Sequence, residues 1–399
     1  MVLRRVRRNG HPTTDTPVNR TLRFVALSLL VTLGASAALA EDSAPAAIDP
    51  AKAKAENDGA LLWYDLKLLH VEGQGWSDTL APYDRFPKQA EKTVPASVWG
   101  LSRHSAGLCA RFVTDATTLQ ARWTLTSANL AMPHMPATGV SGLDLYVKTE
   151  SGKWRWLANG RPSAQTNTAT LYSGIPAGTR EYLLYLPLYN GVSSVELGLP
   201  KGTSLSQARA WSGGTKPIIF YGTSITQGGC ASRPGMVHTA ILQRRLNTPV
   251  INLGFSGNGR LDPGVGDLMA EVDAAVYVLD CLPNMNDKEV TERTDPFVKK
   301  LRAARPDTPI LLVEDRTYSN SFLITGSRTR NETSRAALKA AYERLKAEGV
   351  KGLYYLDGES LLADDGEGTV DSSHPTDLGF VQHADAFEKV LRPLLGKNR

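Results

Sequence analysis

Cysteine is scarce: Cys109, Cys230 and Cys281 are the only three in 399 residues. An odd number excludes a fully paired set within one chain. No Cys-x-x-Cys or Cys/His spacing suggests a zinc site. Cys230 and Cys281 each follow a predicted strand end, so a disulfide between them stays open. A strong charge of one sign is lacking too. The formal net charge is +5, and Arg4, Arg5, Arg7, Arg8, Arg20 and Arg23 all precede the first apolar run. Without that leader the chain is close to neutral, which removes the electrostatic case for a nucleic-acid partner. A long hydrophobic run is missing as well. The apolar stretch 24–40, FVALSLLVTLGASAALA, is shorter than the roughly 20 residues of a spanning helix and is followed by EDSAPAA. It ends in Ala38-Leu39-Ala40, a small-x-small pattern. This predicts a signal peptide over 1–40, cleaved after Ala40, with export to the periplasm or beyond and no stable membrane anchor. The basic leader is long, so a start nearer Val18 stays open.

What is present is a globular composition, 42% hydrophobic and 21% charged, in a chain long enough for two domains. Residues 41–57 are rich in Ala, Asp, Lys and Pro and read as a linker. From 58 to 205 short strands alternate with turns. Strands are expected at 108–113, 118–125, 143–148, 154–157, 181–187 and 194–199, with turns such as Ala177-Gly178 and Asn190-Gly191 between them. That rhythm predicts an all-β domain, a β-sandwich. Trp63, Trp76 and Trp99 lie within it and are expected to pack, with stacking on sugar rings the alternative.

At Lys216, within a second domain placed over 206–399, the rhythm changes. Apolar runs at 217–221, 250–254, 274–280, 309–315 and 352–358 alternate with helical patterns near 235–247, 263–272, 287–304, 332–348 and 378–394. Nearly all-apolar strands between helices predict a parallel sheet covered on both faces, hence an α/β domain. Asp262-Pro263 supplies an N-cap and a proline for the first helical position.

Ligands of open α/β sheets bind at the carboxyl ends of the strands. Polar groups follow four of those ends. Gly222-Thr223-Ser224-Ile225-Thr226 follows the first strand, and Asn252-Leu253-Gly254-Phe255-Ser256-Gly257-Asn258-Gly259 the second. Asp280-Cys281-Leu282-Pro283-Asn284-Met285 follows the third, and Asp371-Ser372-Ser373-His374-Pro375 the fifth. Taken singly, each reads as an ordinary turn. The first is not a G-x-S-x-G elbow, because Thr226 occupies the second glycine position.

Their order is Ser, Gly, Asn, Asp-x-x-His along residues 216–395, and it resembles the SGNH (GDSL-like) hydrolase superfamily. Gly142-Leu143-Asp144-Leu145-Tyr146 is similar to the Gly-x-Asp-Leu-Tyr signature of a β-domain that precedes one subgroup. Two departures from the family pattern stand out: Gly-Thr-Ser replaces Gly-Asp-Ser, and no Asp follows Asn284.

The resemblance implies a flavodoxin-like three-layer hydrolase domain behind the β-sandwich (jelly-roll-like) domain. It implies a serine esterase with Ser224 as nucleophile, His374 as base and Asp371 orienting the imidazole. The Ser224 and Gly257 N–H groups and the Asn284 amide would then bind the oxyanion, with no metal or organic cofactor. A carbohydrate O-acetyl esterase is the expected activity. A lipase or thioesterase, and a non-catalytic glycan-binding protein, are the alternatives. A lipase would want an exposed apolar loop, and none is evident in the sequence. His383 is expected on a solvated helix face, His238 near the pocket or packed, and His104 and His134 in structural roles.

Overall fold

The computed structural model describes residues 46–397. The expected signal peptide lies outside the described residues. Among the described residues no helix is long and apolar enough to cross a membrane.

Two antiparallel sheets come first. One is five-stranded, and the other has six strands, counting Val71–Glu72 on Cys109–Thr114. Their facing side chains, among them Phe112, Leu119, Trp123, Leu145, Leu184 and Leu197, form one core. The strand Thr118–Leu125 alternates buried and half-exposed residues, as a one-sided strand must. The strand Arg180–Tyr185 is apolar on both faces for a reason. Tyr182 and Leu184 point into the sandwich, while Leu183 and Tyr185 join the core beneath the helix His238–Leu246. Part of the expected linker is pinned. Lys54–Glu56 pairs with Leu61–Asp65, and Ala47 bridges Ser206. The strand Thr166–Ser173 carries little signal in the sequence, because its alternation is mostly threonine and asparagine rather than apolar against polar.

The second sheet system is parallel. Its five strands run, edge to edge, Val250–Gly254, Ile218–Gly222, Val276–Asp280, Ile310–Val313 and Leu353–Leu356. In chain order this is 2-1-3-4-5, the flavodoxin-like arrangement. Ile218 and Phe220 pack toward the helices His238–Leu246 and Asp377–Lys397. Ile219 and Tyr221 pack toward Pro263–Glu271, Asp287–Ala304 and Thr325–Ala347. Asp262 caps its helix as read, accepting from the N–H groups of Gly264 and Val265. In the register, Gly222 lies opposite both Gly254 and Asp280. Three loops therefore leave the sheet at one level.

Candidate active site

The first strand ends at Gly222, and a short helix, Ser224–Gln227, begins at once. The Thr223 hydroxyl accepts from the Ile225 N–H and caps that helix. A Cβ at Gly222 would overlap Thr226, so only glycine allows so sharp a turn. Ser224 Oγ lies 2.8 Å from His374 Nε2, and His374 Nδ1 lies 2.8 Å from Asp371 Oδ2. The other carboxylate oxygen, Oδ1, accepts from the backbone N–H groups of Ser373 (3.0 Å) and His374 (2.7 Å). Partial burial works to raise the Asp371 pKa. The hydrogen bonds from His374 and Ser373 and the imidazole charge outweigh it and hold the carboxyl below its ordinary value. Asp371 thus stays ionised beside the imidazole, and its bond to Nδ1 leaves Nε2 to face the serine hydroxyl.

The second-strand loop folds over the serine turn. Phe255 N–H donates to Gly222 O at 3.0 Å, and Ser256 N–H to the Gln227 side chain at 3.0 Å. Gly257 sits in this loop, exposed, at φ +71°. Asn284 meets the same loop: its amide oxygen accepts from the N–H groups of Asn258 and Gly259 at 3.1 Å each. Fixed that way, its NH₂ remains as a donor. Ser224, Asp371 and His374 therefore share direct hydrogen bonds, and Asn284 is joined to the Gly257 loop through that loop's backbone.

Several contributors were not evident from sequence. Arg316 is buried and donates from Nε to Ser373 O at 2.8 Å and from Nη2 to Ser373 Oγ, so it holds the loop that carries His374. Asp280, also buried, accepts from the Thr226 hydroxyl at 2.8 Å beneath the serine turn. Burial pushes its carboxyl up to about 7, against the opposing effects of that hydrogen bond and the Arg316 charge. From the β-sandwich region, the Tyr189 hydroxyl donates to Ser224 O at 3.0 Å. The His104 ring meets Gln227, and the His134 ring lies 6.0 Å from that of His374, centre to centre. Both histidines, read from sequence as structural, adjoin the site. Burial pushes His104 down to about 4, with the Arg85 charge adding to the effect.

Two further contacts fasten the β-sandwich to the hydrolase sheet. Arg85 is buried and donates only to backbone carbonyls, including those of Asn252 and Gly254 at the end of the second parallel strand. Asp144, in the Gly-x-Asp-Leu-Tyr motif, is fully buried. It accepts from Arg233 Nη1, Gly235 N–H and Trp156 Nε1, each at 2.8 Å. Tyr146 of the same motif receives Arg233 Nη1 at 2.6 Å. The motif is thus a latch on the Arg233-Pro234-Gly235 turn.

The expectation for His383 is corrected. His383 is buried, with Nδ1 at 2.9 Å from Gly379 O, rather than solvated. The spacing contained the signal: His383 lies three residues after Phe380 and four before Phe387, on the apolar stripe. Of the two places expected for His238, the structure shows the packed one, between Phe380 and Phe387. Trp63 is buried, and Trp76 and Trp99 pack on the hydrolase core. The three cysteines are buried free thiols, so Cys230 and Cys281 are not paired. An exposed apolar loop does exist, at Phe322-Leu323-Ile324.

Comparison with known proteins bears on the family and the fold. The profile of the GDSL-like Lipase/Acylhydrolase family matches residues 215–392. That of the GxDLY N-terminus of Esterase_SGNH_hydro-type proteins matches residues 61–205. A protein from Bacteroides ovatus, named as a GDSL-like lipase, is 33% identical with a TM-score of 0.80, over 84% of this chain and 98% of its own. The salicylyl-acyltransferase SsfX3 of a tetracycline biosynthetic pathway shares the fold at 21% identity and TM-score 0.63, over 86% of this chain and 97% of its own. A family two carbohydrate esterase from Clostridium thermocellum, in complex with cellohexaose, shares it at 15% identity and TM-score 0.52, over 73% and 95%. No curated protein sequence matches the chain. With one-third of its residues identical across nearly the whole of the Bacteroides protein, the chain belongs to the GDSL-like (SGNH) lipase/acylhydrolase family of serine ester hydrolases.

Proposed function

We propose that the protein is an exported carbohydrate O-acetyl esterase in which Ser224, His374 and Asp371 act as nucleophile, base and orienting carboxylate. The observation that carries this reading is the unbroken relay of 2.8 Å contacts from Ser224 Oγ through the imidazole to Asp371. His374 takes the hydroxyl proton as Ser224 attacks the ester carbonyl, and Asp371 stabilises the imidazolium. The carbonyl oxygen gains negative charge and is met by the N–H groups of Ser224 and Gly257 and the Asn284 amide. Each such donor is worth about 10²–10³ in rate. His374 then protonates the departing alcohol and activates water to release acetate. Export follows from the leader at 1–40. The domain division, a β-sandwich over 58–205 and a hydrolase domain over 206–399, follows from the change of rhythm at Lys216.

Support for a sugar ester comes from the shared fold of family two carbohydrate esterases, one of them holding cellohexaose. A second reading, an esterase for long acyl chains, draws on the exposed Phe322-Leu323-Ile324 loop. Rates on a panel of acetylated sugars, with Ser224→Ala as control, test the first reading. Aryl acetate against aryl decanoate tests the second. Acetate release from sugars by the wild type alone supports the proposal; preference for decanoate with no release from sugars overturns it.

A further inference from the structure

Large apolar side chains are rarely left exposed together without a role. Five of the seven exposed among the described residues belong to two segments beside His374: Phe322 (76%), Leu323 (74%), Ile324 (52%), Val370 (49%) and Leu378 (49%). The segments are tied together. Ser319 N–H donates to Ser372 O at 3.1 Å, and the Ser319 and Thr369 hydroxyls share a hydrogen bond of 2.7 Å. Val370 N–H donates to His374 O at 2.8 Å. The tip is a hydrogen-bonded turn, in which Ile324 and Leu323 N–H both donate to Asn320 O. It therefore displays its apolar side chains from a fixed backbone.

What would cover this collar follows from its position and its charge. The imidazole delivers a proton to the departing alcohol, so the alcohol half of the ester must lie against His374. Val370 lies on the same loop, and the apolar tip springs from Ser319, which is bonded to that loop, so the collar is rooted on that side. Residues 361–377 carry Asp364, Asp365, Glu367, Asp371 and Asp377 and no Lys or Arg. Near the tip, Arg328 is exposed on the following helix, while Arg330 donates to Pro283 O and Met285 O. An acidic rim disfavours anionic lipid and uronate chains. A fatty chain laid across it would desolvate carboxylates without pairing them. A neutral sugar suits both features: its C–H face rests on the apolar tip and its hydroxyls donate to carboxylates.

Resting on the carbohydrate-esterase reading, we infer that Phe322, Leu323, Ile324 and Val370 form a subsite for sugar units beyond the esterified one. The substrate is then a neutral acetylated oligosaccharide or polysaccharide.

The test uses the full chain and its Phe322→Ala and Val370→Ser variants, both at exposed positions. The substrates are acetylated xylo- and manno-oligosaccharides of one and four units, with 4-nitrophenyl acetate as reference. Wild type is expected to favour four units over one by about tenfold in kcat/KM. The variants lose that advantage through KM, with kcat within about twofold and 4-nitrophenyl acetate hydrolysis unchanged. An equal length dependence in wild type and variants overturns the subsite. So does a loss confined to aryl decanoate, or to cosedimentation with phosphatidylcholine vesicles. A wild type that cleaves 4-nitrophenyl acetate but no acetylated sugar instead fails the carbohydrate reading, and the subsite with it.

Discussion

Replacing Asp144 by Ala removes the acceptor at the centre of the latch. Its carboxylate is fully buried and takes three hydrogen bonds, one from the Arg233 guanidinium. Truncating one partner of a buried ion pair costs about 3–5 kcal/mol, chiefly because the other charge is left uncompensated. At about 1.4 °C per kcal/mol for a chain of this length, melting should fall by about 4–7 °C. The double variant with Arg233→Met should recover much of the loss, since the stranded charge is then gone. Thermal unfolding of the wild type, both single variants and the double variant closes the cycle. The Arg233-Pro234-Gly235 turn follows closely on Ser224, so esterase kcat/KM should fall as well. A loss under about 1 kcal/mol, or strictly additive singles, would refute the latch.

Arg316→Gln should lower kcat on 4-nitrophenyl acetate about ten- to hundredfold with KM little changed, because displacing the His374 loop misaligns the proposed base, whose geometry is exacting. Arg316→Lys should recover part of that loss, and unchanged kcat in both variants would leave Arg316 without this role. Asp280 holds its proton up to about pH 7 in the folded state, against an ordinary value of 3.8. The folded state therefore binds the extra proton, and stability should fall as pH rises from about 4 to about 7, by about 4 kcal/mol in all. Urea midpoints across that range should flatten in Asp280→Asn; the same slope in wild type and variant would exclude Asp280 as its source.

Much of the fold and of the candidate site was legible because both lie on a few local patterns. The apolar runs 217–221 and 250–254 could only be strands covered on both faces, and the residues after them had to sit at the mouth. The helix read from 332 starts at Thr325, since its first two turns carry no apolar stripe to betray them. Arg85 and Arg316 escaped because a buried arginine is recognised by the carbonyls around it, and those come from distant segments. The Asp144 signature was visible as a motif, but its partner Arg233 lies 89 residues away and no local pattern joins them. The Phe322-Leu323-Ile324 run has the composition of a core segment, so only the fold reveals that it faces solvent.

The account rests on a serine hydroxyl made nucleophilic by the adjoining imidazole. Reaction of the full chain with a fluorophosphonate, followed by peptide mass analysis, tests this most directly. The expected result is one phosphonyl adduct on Ser224, absent in Ser224→Ala and much slowed in His374→Ala. Labelling of another residue, or none while ester hydrolysis persists, would contradict it.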